Sequence, residues 1–450
     1  MYAWLRKQGW WLAAIAAGAA LRAVFLWTHP RFEGDPVVYA DLAHNLITHH
    51  IYGLTENVIR PTLIRLPGYP FFLALCFSLF GQQSFFPAVC VQIVLALTVC
   101  WFLARMAMRL AGERAGLCVL WLLCLCPFTA QYDALPLTES LAIICTGTAL
   151  ICMERWRATG RWGWTLLLGV ACAADVLLRP DRGLLAAICV LVLLLLERGR
   201  AWKQAVAVCL IVAAPLSVWT VRNWETLHVF QPLAPKYAND AGEFVSNGFN
   251  RWYRSWGVEY LSTVNTYWMW DGAPLCWKDL PERAFDSPQQ RLETKNAYAA
   301  YNAVLSATPA NDRLFAHLAD ERERAHPLRS LVVMPLGRLA DMWLRPRTEF
   351  FRLPLAWWRW SLHPGASSIC LLWAALNAAL LLLALRGAWL WRGWSGSIVG
   401  LAGLGYVLAR CLLLLTIDNA EQRYTVECFP VVLLLAGFAL ARKTPAPEAV

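Results

Sequence analysis

The sequence predicts an all-α integral membrane protein, a bundle of about ten transmembrane helices. Juxtamembrane helices are expected in its first external loop, together with a small periplasmic cap. Three observations predict the helical membrane class. Of the 450 residues, 58% are hydrophobic and 16% charged, too apolar for an ordinary soluble chain of this length. Apolar runs of membrane-spanning length recur from end to end. Many of the 25 tryptophans lie at the ends of those runs, where indole rings favour the interface.

The first run, Trp10–Trp27, starts beside Arg6 and Lys7 as a signal peptide would. No small-residue cleavage pattern follows, so it reads as a retained span. The connection after it, Arg31–Pro70, is about forty residues long, far beyond an ordinary loop. Pro70–Phe80 is apolar but too short to cross, and reads as a helix lying at the surface. Spans are then expected at Phe85–Ala107, Ala115–Ala130 and Leu137–Met153. Trp162–Leu178 and Gly183–Leu196 are short enough to be tilted or re-entrant, and Trp202–Thr220 is the seventh. The polar section 221–364 is rich in aromatics and amides and reads as a cap. Within it Pro335, Arg338 and Asp341 interrupt Leu331–Leu344, which is placed at the external interface. Ala366–Leu385, Ser397–Leu415 and Thr425–Leu440 complete the spans, followed by a polar tail, Lys443–Val450. The expected division is thus a membrane module, 1–220, with a catalytic first loop at 28–84, a cap at 221–364, a second membrane module at 365–442 and a tail at 443–450.

Basic residues give the orientation. Arg105, Arg109 and Arg114, then Arg155, Arg157 and Arg161, then Arg198, Arg200 and Lys203, fall on one set of connections, as do Arg386 and Arg392. That places both termini in the cytoplasm. The net charge of +10 forms no continuous stripe, which argues against nucleic acid as a partner. Most of the 15 cysteines lie inside apolar runs and act as small hydrophobes, and no zinc-type spacing occurs.

The unusual polar residues gather at the opposite connections. Glu33 and Asp35 lie in the first, Asp133 and Glu139 near the second, and Arg179, Asp181 and Arg182 in the third. Arg222 and Asn223 open the fourth, and Asp418, Glu421 and Arg423 occupy the last. Ionisable groups at a bilayer face are costly unless paired or used. Asp35, turned between Gly34 and Pro36, precedes a helical pattern on which Tyr39, Ala43, Leu46 and Ile47 share a face. A carboxylate held there suits a general base, and equally a helix cap. Glu139 suits a second acid or a first-turn acid favourable to the helix dipole. Arg65, Arg222 and Arg423 suit either a forked contact to phosphate or snorkelling to head groups. His44, His49 and His50 do not share a helix face, so no metal site is assigned.

In order, EGDPVVYADLAHNL, RLPGYPFFLALCFSLFG, LPLTESL, LLRPDRGLL, WTVRNW and EQRYTVECFPVVLLL resemble the GT-C superfamily of integral-membrane glycosyltransferases. The nearer branch is the bacterial set related to protein O-mannosyltransferases and the lipid A aminoarabinose transferase. The resemblance implies transfer of a sugar from a polyprenyl-phosphate-linked donor to a hydroxyl acceptor on the periplasmic or outer face of the bacterial inner membrane. It implies Asp35 as base, Glu33 and Glu139 as candidates for a second acid, and Arg65, Arg222 and Arg423 at the donor phosphate. Tyr39, Tyr69, Asn223, Glu421 and Tyr424 are expected as sugar or acceptor contacts. Most relatives follow the base with an acid, where this chain has Pro36. The implied partners are the lipid-linked donor, a glycan, lipid or protein acceptor, and the bilayer. No cofactor is assigned, and a divalent cation at the first-loop acids stays open. The alternatives are a polytopic transporter or lipid flippase, which would show related halves and broken mid-membrane helices, and a noncatalytic scaffold.

Overall fold

The computed structural model describes residues 2–28, 34–81, 84–196, 200–390 and 397–441. Glu33 and the tail Lys443–Val450 lie outside the described residues. The chain packs as two units: Met1–Asp240 with Ala378–Ala409 and Val426–Val450, and Ala241–Asn377 with Arg410–Thr425.

In the first unit, α1 (Tyr2–Thr28) meets α5 (Glu113–Leu125) closely, because Gly18 presents no Cβ to Cys124. One turn on, buried Arg22 pairs with Asp133 at 2.8 Å and donates to the carbonyls of Gly18 and Cys124. Ser140 donates to the other oxygen of Asp133 at 2.6 Å. A charge pair so placed is satisfied on every side, the condition for burying it in a bilayer.

The first connection folds into α2 (Asp35–His49), a hairpin of β1 (Gly53–Thr55) and β2 (Ile59–Pro61), and α3 (Gly68–Phe80). The hairpin register pairs Gly53 with Pro61 and Thr55 with Ile59. Asp41 and Asn45 tie it to α2: Asp41 accepts from the Thr55 amide and hydroxyl, and Asn45 donates to the Gly53 carbonyl. One face of α3 buries Tyr69, Leu73 and Phe77, while Phe71, Leu75 and Leu79 stay exposed.

The remaining long helices are α4 (Phe86–Ala111), α6 (Pro127–Asp133), α7 (Thr138–Thr159), α8 (Trp162–Leu178), α9 (Gly183–Leu196) and α10 (Trp202–Leu227). The run expected as one span at Ala115–Ala130 is instead α5 and α6, bent by 55° where Pro127 cannot continue the hydrogen-bond ladder. Each apolar run expected to span falls on helical structure. Among the described residues, however, five helices are long and apolar enough to cross, or six with the bent pair taken as one. Glu154, Arg155 and Arg157 keep α7 from counting, and α9 is short.

The second unit is built on α11 (Asn247–Arg254), the single turn α12 (Tyr260–Ser262), α13 (Pro288–Asn302), α14 (Pro309–Ala325) and α15 (Met334–Leu344). Ser287 and Thr308 cap α13 and α14, accepting from the amides of Gln290 and Asn311. Most of the aromatics of this unit are turned inward, while Trp268 stays exposed. Phe249, Trp252, Tyr253, Trp256, Tyr298 and Phe315 are the core. Buried Arg322 crosses beneath it, donating to Ser255, Ala284, Gln290 and Arg283. Three further helices, α16 (Pro364–Leu390), α17 (Ile398–Leu414) and α18 (Phe429–Leu440), follow in the chain.

Candidate active site

Gly34 sits at φ 74°, a conformation suited to glycine, and turns the chain so that Asp35 opens α2. Gly34 is the N-cap of this helix and Asp35 lies in its first turn, where a carboxylate suits the helix dipole. Its carboxylate pairs with Arg65 at 3.0 Å, with about a quarter of each side chain open to solvent.

One turn into α2 lies Tyr39, buried edge-on against Tyr69 at 5.1 Å between ring centroids. Burial pushes the Tyr39 phenol up to about 12; the Asp35 charge adds to the rise, Arg65 opposes it, and Glu139 and Arg179 act in the same two senses. Asp35, Arg65, Glu139 and Arg179 therefore share one electrostatic neighbourhood around a single phenol. Tyr69 has no exposed surface, and its hydroxyl donates to Gln92 at 3.2 Å. Gln92 in turn donates to the carbonyls of Asp133 and Leu135, which locks α4 to the connection before α7.

Glu139 opens α7, buried, with Thr138 donating to one oxygen and Arg179 3.8 Å from the other. Arg179 also pairs with Asp181 at 3.3 Å. Arg182 turns inward, donating to the Thr138 carbonyl at 2.9 Å and pairing with buried Glu427 at 3.0 Å. Tyr406 donates to the second oxygen of Glu427. A continuous polar chain thus runs from Tyr406 through Glu427, Arg182 and Thr138 to Glu139. Glu427 was within a quoted motif but was not singled out. Its signal was an acid one turn inside an otherwise apolar segment.

Arg222 is spent differently. Its guanidinium donates to the carbonyls of Thr62 and Tyr52 and to Asn223 Oδ1, and lies over the rings of Tyr52 and Trp219. Asn223 is buried and donates to the Gln231 carbonyl. These two residues hold the hairpin connection against α10.

Glu421, Arg423 and Tyr424 belong to the second unit. Glu421 is buried, accepts from Asn419 and Tyr424 at 2.7 Å each, and pairs with Arg423 at 2.6 Å. Arg423 lies over the Tyr424 ring. Here too a tyrosine stands amid the charges. Burial raises the Tyr260 phenol; Glu421 and Glu349 add to the rise, and Arg345 and Arg423 oppose it. Arg345 lies 4.7 Å over the Tyr260 ring, with Nε and Nη1 buried and without a hydrogen-bond partner. Two residues on, Arg347 is wholly committed, to Asn377, Gln422, Met342 and Thr425. Among the described residues Glu293, His317 and Glu321 come close enough to share a metal ion, but two of the three are exposed, and none was expected there.

Among the described residues five helices are long and apolar enough to cross a membrane, and part of the chain matches a glycosyltransferase family. Residues 61–219 match the family described as dolichyl-phosphate-mannose-protein mannosyltransferase. That stretch contains Arg65, Tyr69, Glu139, Arg179 and Arg182; Asp35, Arg222 and Arg423 lie outside it. No curated protein matches the whole sequence significantly. Among solved structures it is similar to ArnT from Cupriavidus metallidurans bound to undecaprenyl phosphate, at 14% identity and a TM-score of 0.42 over 96% of this chain and 78% of that one. It is also similar to the archaeal oligosaccharyltransferase AglB from Archaeoglobus fulgidus, in complex with an inhibitory peptide and a dolichol-phosphate. There the identity is 13% and the TM-score 0.47, over 96% of this chain and 50% of that one.

Proposed function

We propose that the protein transfers a sugar from a polyprenyl-phosphate-linked donor to a hydroxyl acceptor, with Asp35 as general base. The observation that carries this reading is the gathering of Asp35, Arg65, Glu139 and Arg179 around Tyr39. The family match over 61–219 supports it, since dolichyl-phosphate mannose is itself a polyprenyl-phosphate sugar.

The chemistry needs two things. The acceptor oxygen must lose a proton, and a partly open carboxylate such as Asp35 can take it. The donor's phosphate leaves as an anion, which fixed guanidiniums stabilise as its charge grows. Arg65 is suited to that work because its link to Asp35 is solvent-open and cheap to exchange. Arg423 is proposed at the phosphate as well. Arg222, already bound to two carbonyls, serves the phosphate by holding the loop rather than by direct contact. Glu139 is the second acid, held by Thr138 and Arg179. Tyr39 and Tyr69 brace the site from its packed side, as Asn223 braces Arg222. Glu421 and Tyr424 are proposed as acceptor-side groups. A divalent cation would find its ligands among the carboxylates of this group, Asp35 and Glu139. The site is placed on the periplasmic or outer face of the inner membrane, with both termini cytoplasmic, following the distribution of arginines.

The test is purified protein supplied with polyprenyl-phosphate sugars and a panel of hydroxyl acceptors. Transfer is expected from the lipid-linked donor alone. Transfer from a nucleotide sugar without lipid would sink the donor assignment, and full activity in a folded Asp35→Asn variant would sink the base.

A further inference from the structure

We propose that the second unit holds a phospholipid headgroup carrying both charges, a phosphoethanolamine, in a pocket beside α11 and α14. The pocket has a volume of about 200 Å³ and is lined by Arg254, Ser255, Glu323, Pro327, Ser330 and Leu331. The inference is independent of the transferase reading.

The polar end of the pocket is incompletely used. Arg254 makes two long ion pairs, 3.6 Å to Asp418 and 3.9 Å to Glu323, and no hydrogen bond from its guanidinium to any described residue. Its N–H groups are free to donate. The Ser330 hydroxyl is buried without a partner, a state that native structures rarely leave unexplained. Ser255, by contrast, is spent: it accepts from Arg322 and donates to the Trp252 carbonyl. Glu323 is bound by Arg251 through one oxygen, while the other faces Arg254 only loosely. A guanidinium and a hydroxyl thus await an acceptor, and a carboxylate oxygen awaits a donor.

The other end is apolar. Leu331, which lines the pocket, is 76% exposed, and its neighbours Leu328, Val332 and Val333 are exposed too. A contiguous apolar lip on a membrane protein is suited to acyl chains rather than water. Lip and polar end together select an amphiphile. The phosphodiester would lie on Arg254 and Ser330 through charge-assisted hydrogen bonds, with the ammonium donating to Glu323. A purely anionic head would meet the Glu323 carboxylate. A quaternary ammonium has no N–H to offer it.

Native mass spectrometry of the delipidated full-length protein in detergent tests this, with phosphatidylethanolamine, phosphatidylcholine and phosphatidylglycerol as probes. The first is expected to be retained about tenfold more tightly than the others. Arg254→Gln and Ser330→Ala should each weaken that retention, and Glu323→Gln should erase the preference over phosphatidylglycerol. Ser330→Ala removes the hydroxyl without adding bulk, so it reads the site even where Arg254→Gln disturbs the fold. Equal retention of the three lipids overturns the proposal, as does undiminished binding in both Arg254→Gln and Ser330→Ala. Competition by free phosphoethanolamine at the same concentration as the lipid overturns the lipid source.

Discussion

Two tyrosines in this protein each stand amid two acids and two arginines, yet the clusters are built on opposite plans. Around Tyr39 the Asp35–Arg65 pair keeps about a quarter of each side chain in solvent. Around Tyr260, Glu421 is buried and both its oxygens are occupied, while Arg345 is buried with two N–H groups unmatched. An open pair contributes little to stability and exchanges partners readily. A buried network is rigid, and losing one member strands the rest. On the proposed function, the first cluster can exchange partners at the base, while the second holds Glu421 and Tyr424 rigidly.

The sharpest way to break this contrast is to neutralise one acid in each cluster. Asp35→Asn is expected to lower transfer by about 10²–10⁴-fold, the usual contribution of a general base. It should change unfolding stability by no more than about 1 kcal/mol, as for an exposed pair. Glu421→Ala is expected to do the reverse in stability, at a cost of roughly 3–5 kcal/mol, because Arg423 loses its buried partner while Asn419 and Tyr424 lose their acceptor. Equal thermal shifts in the two variants would remove the distinction.

Arg222→Lys should come next, destabilising by about 1–3 kcal/mol. A lysine cannot reach two carbonyls while also facing the rings of Tyr52 and Trp219. Limited proteolysis of the connection around Thr62 reads it directly, and unchanged cleavage would return Arg222 to the phosphate.

A smaller effect is expected at Asp341, beside the second cluster. Burial raises its carboxyl to about 6, against the opposing charge of Arg345 and a hydrogen bond from the Tyr260 amide. A raised carboxyl binds its proton more tightly in the folded state. Its contribution is therefore full below the unfolded value of about 4 and is lost as pH rises through about 6. Asp341→Asn should flatten the melting temperature across that window; an unchanged slope would assign it to other groups. Least of all should follow from Glu56→Gln, since the Glu56–Arg60 pair is fully at the surface. Its melting curve should overlay that of the wild type, and a clear shift would show that even exposed first-loop charges bear on stability.

Local chemistry made part of this architecture legible. The Gly34-Asp35-Pro36 turn, the helix after it and the arginine before LPGYP could be read along the chain, because each depends on near neighbours. The hairpin could not, since strands of three residues leave no alternation to detect. The Arg182–Glu427 pair was hidden for another reason: its partners are distant in sequence, and each reads alone as an interfacial charge. Trp252 and Trp256 could not be placed in a core from composition, because tryptophan favours membrane interfaces and cores alike. Pro127 was visible, and its break in the third span follows from the missing amide alone.

The Arg22–Asp133 pair also bears on how the chain is made. Its members lie 111 residues apart. At a synthesis rate of about 5–20 residues per second, Arg22 is complete roughly ten seconds before its counter-charge exists. During that interval the first helix carries a cation with no protein partner, and the cation's low-energy place is the head-group layer, reached by snorkelling. Only when Asp133 and Ser140 emerge can the helix settle to the depth at which Gly18 meets Cys124. The pair thus ties the final depth of the first helix to the emergence of α6.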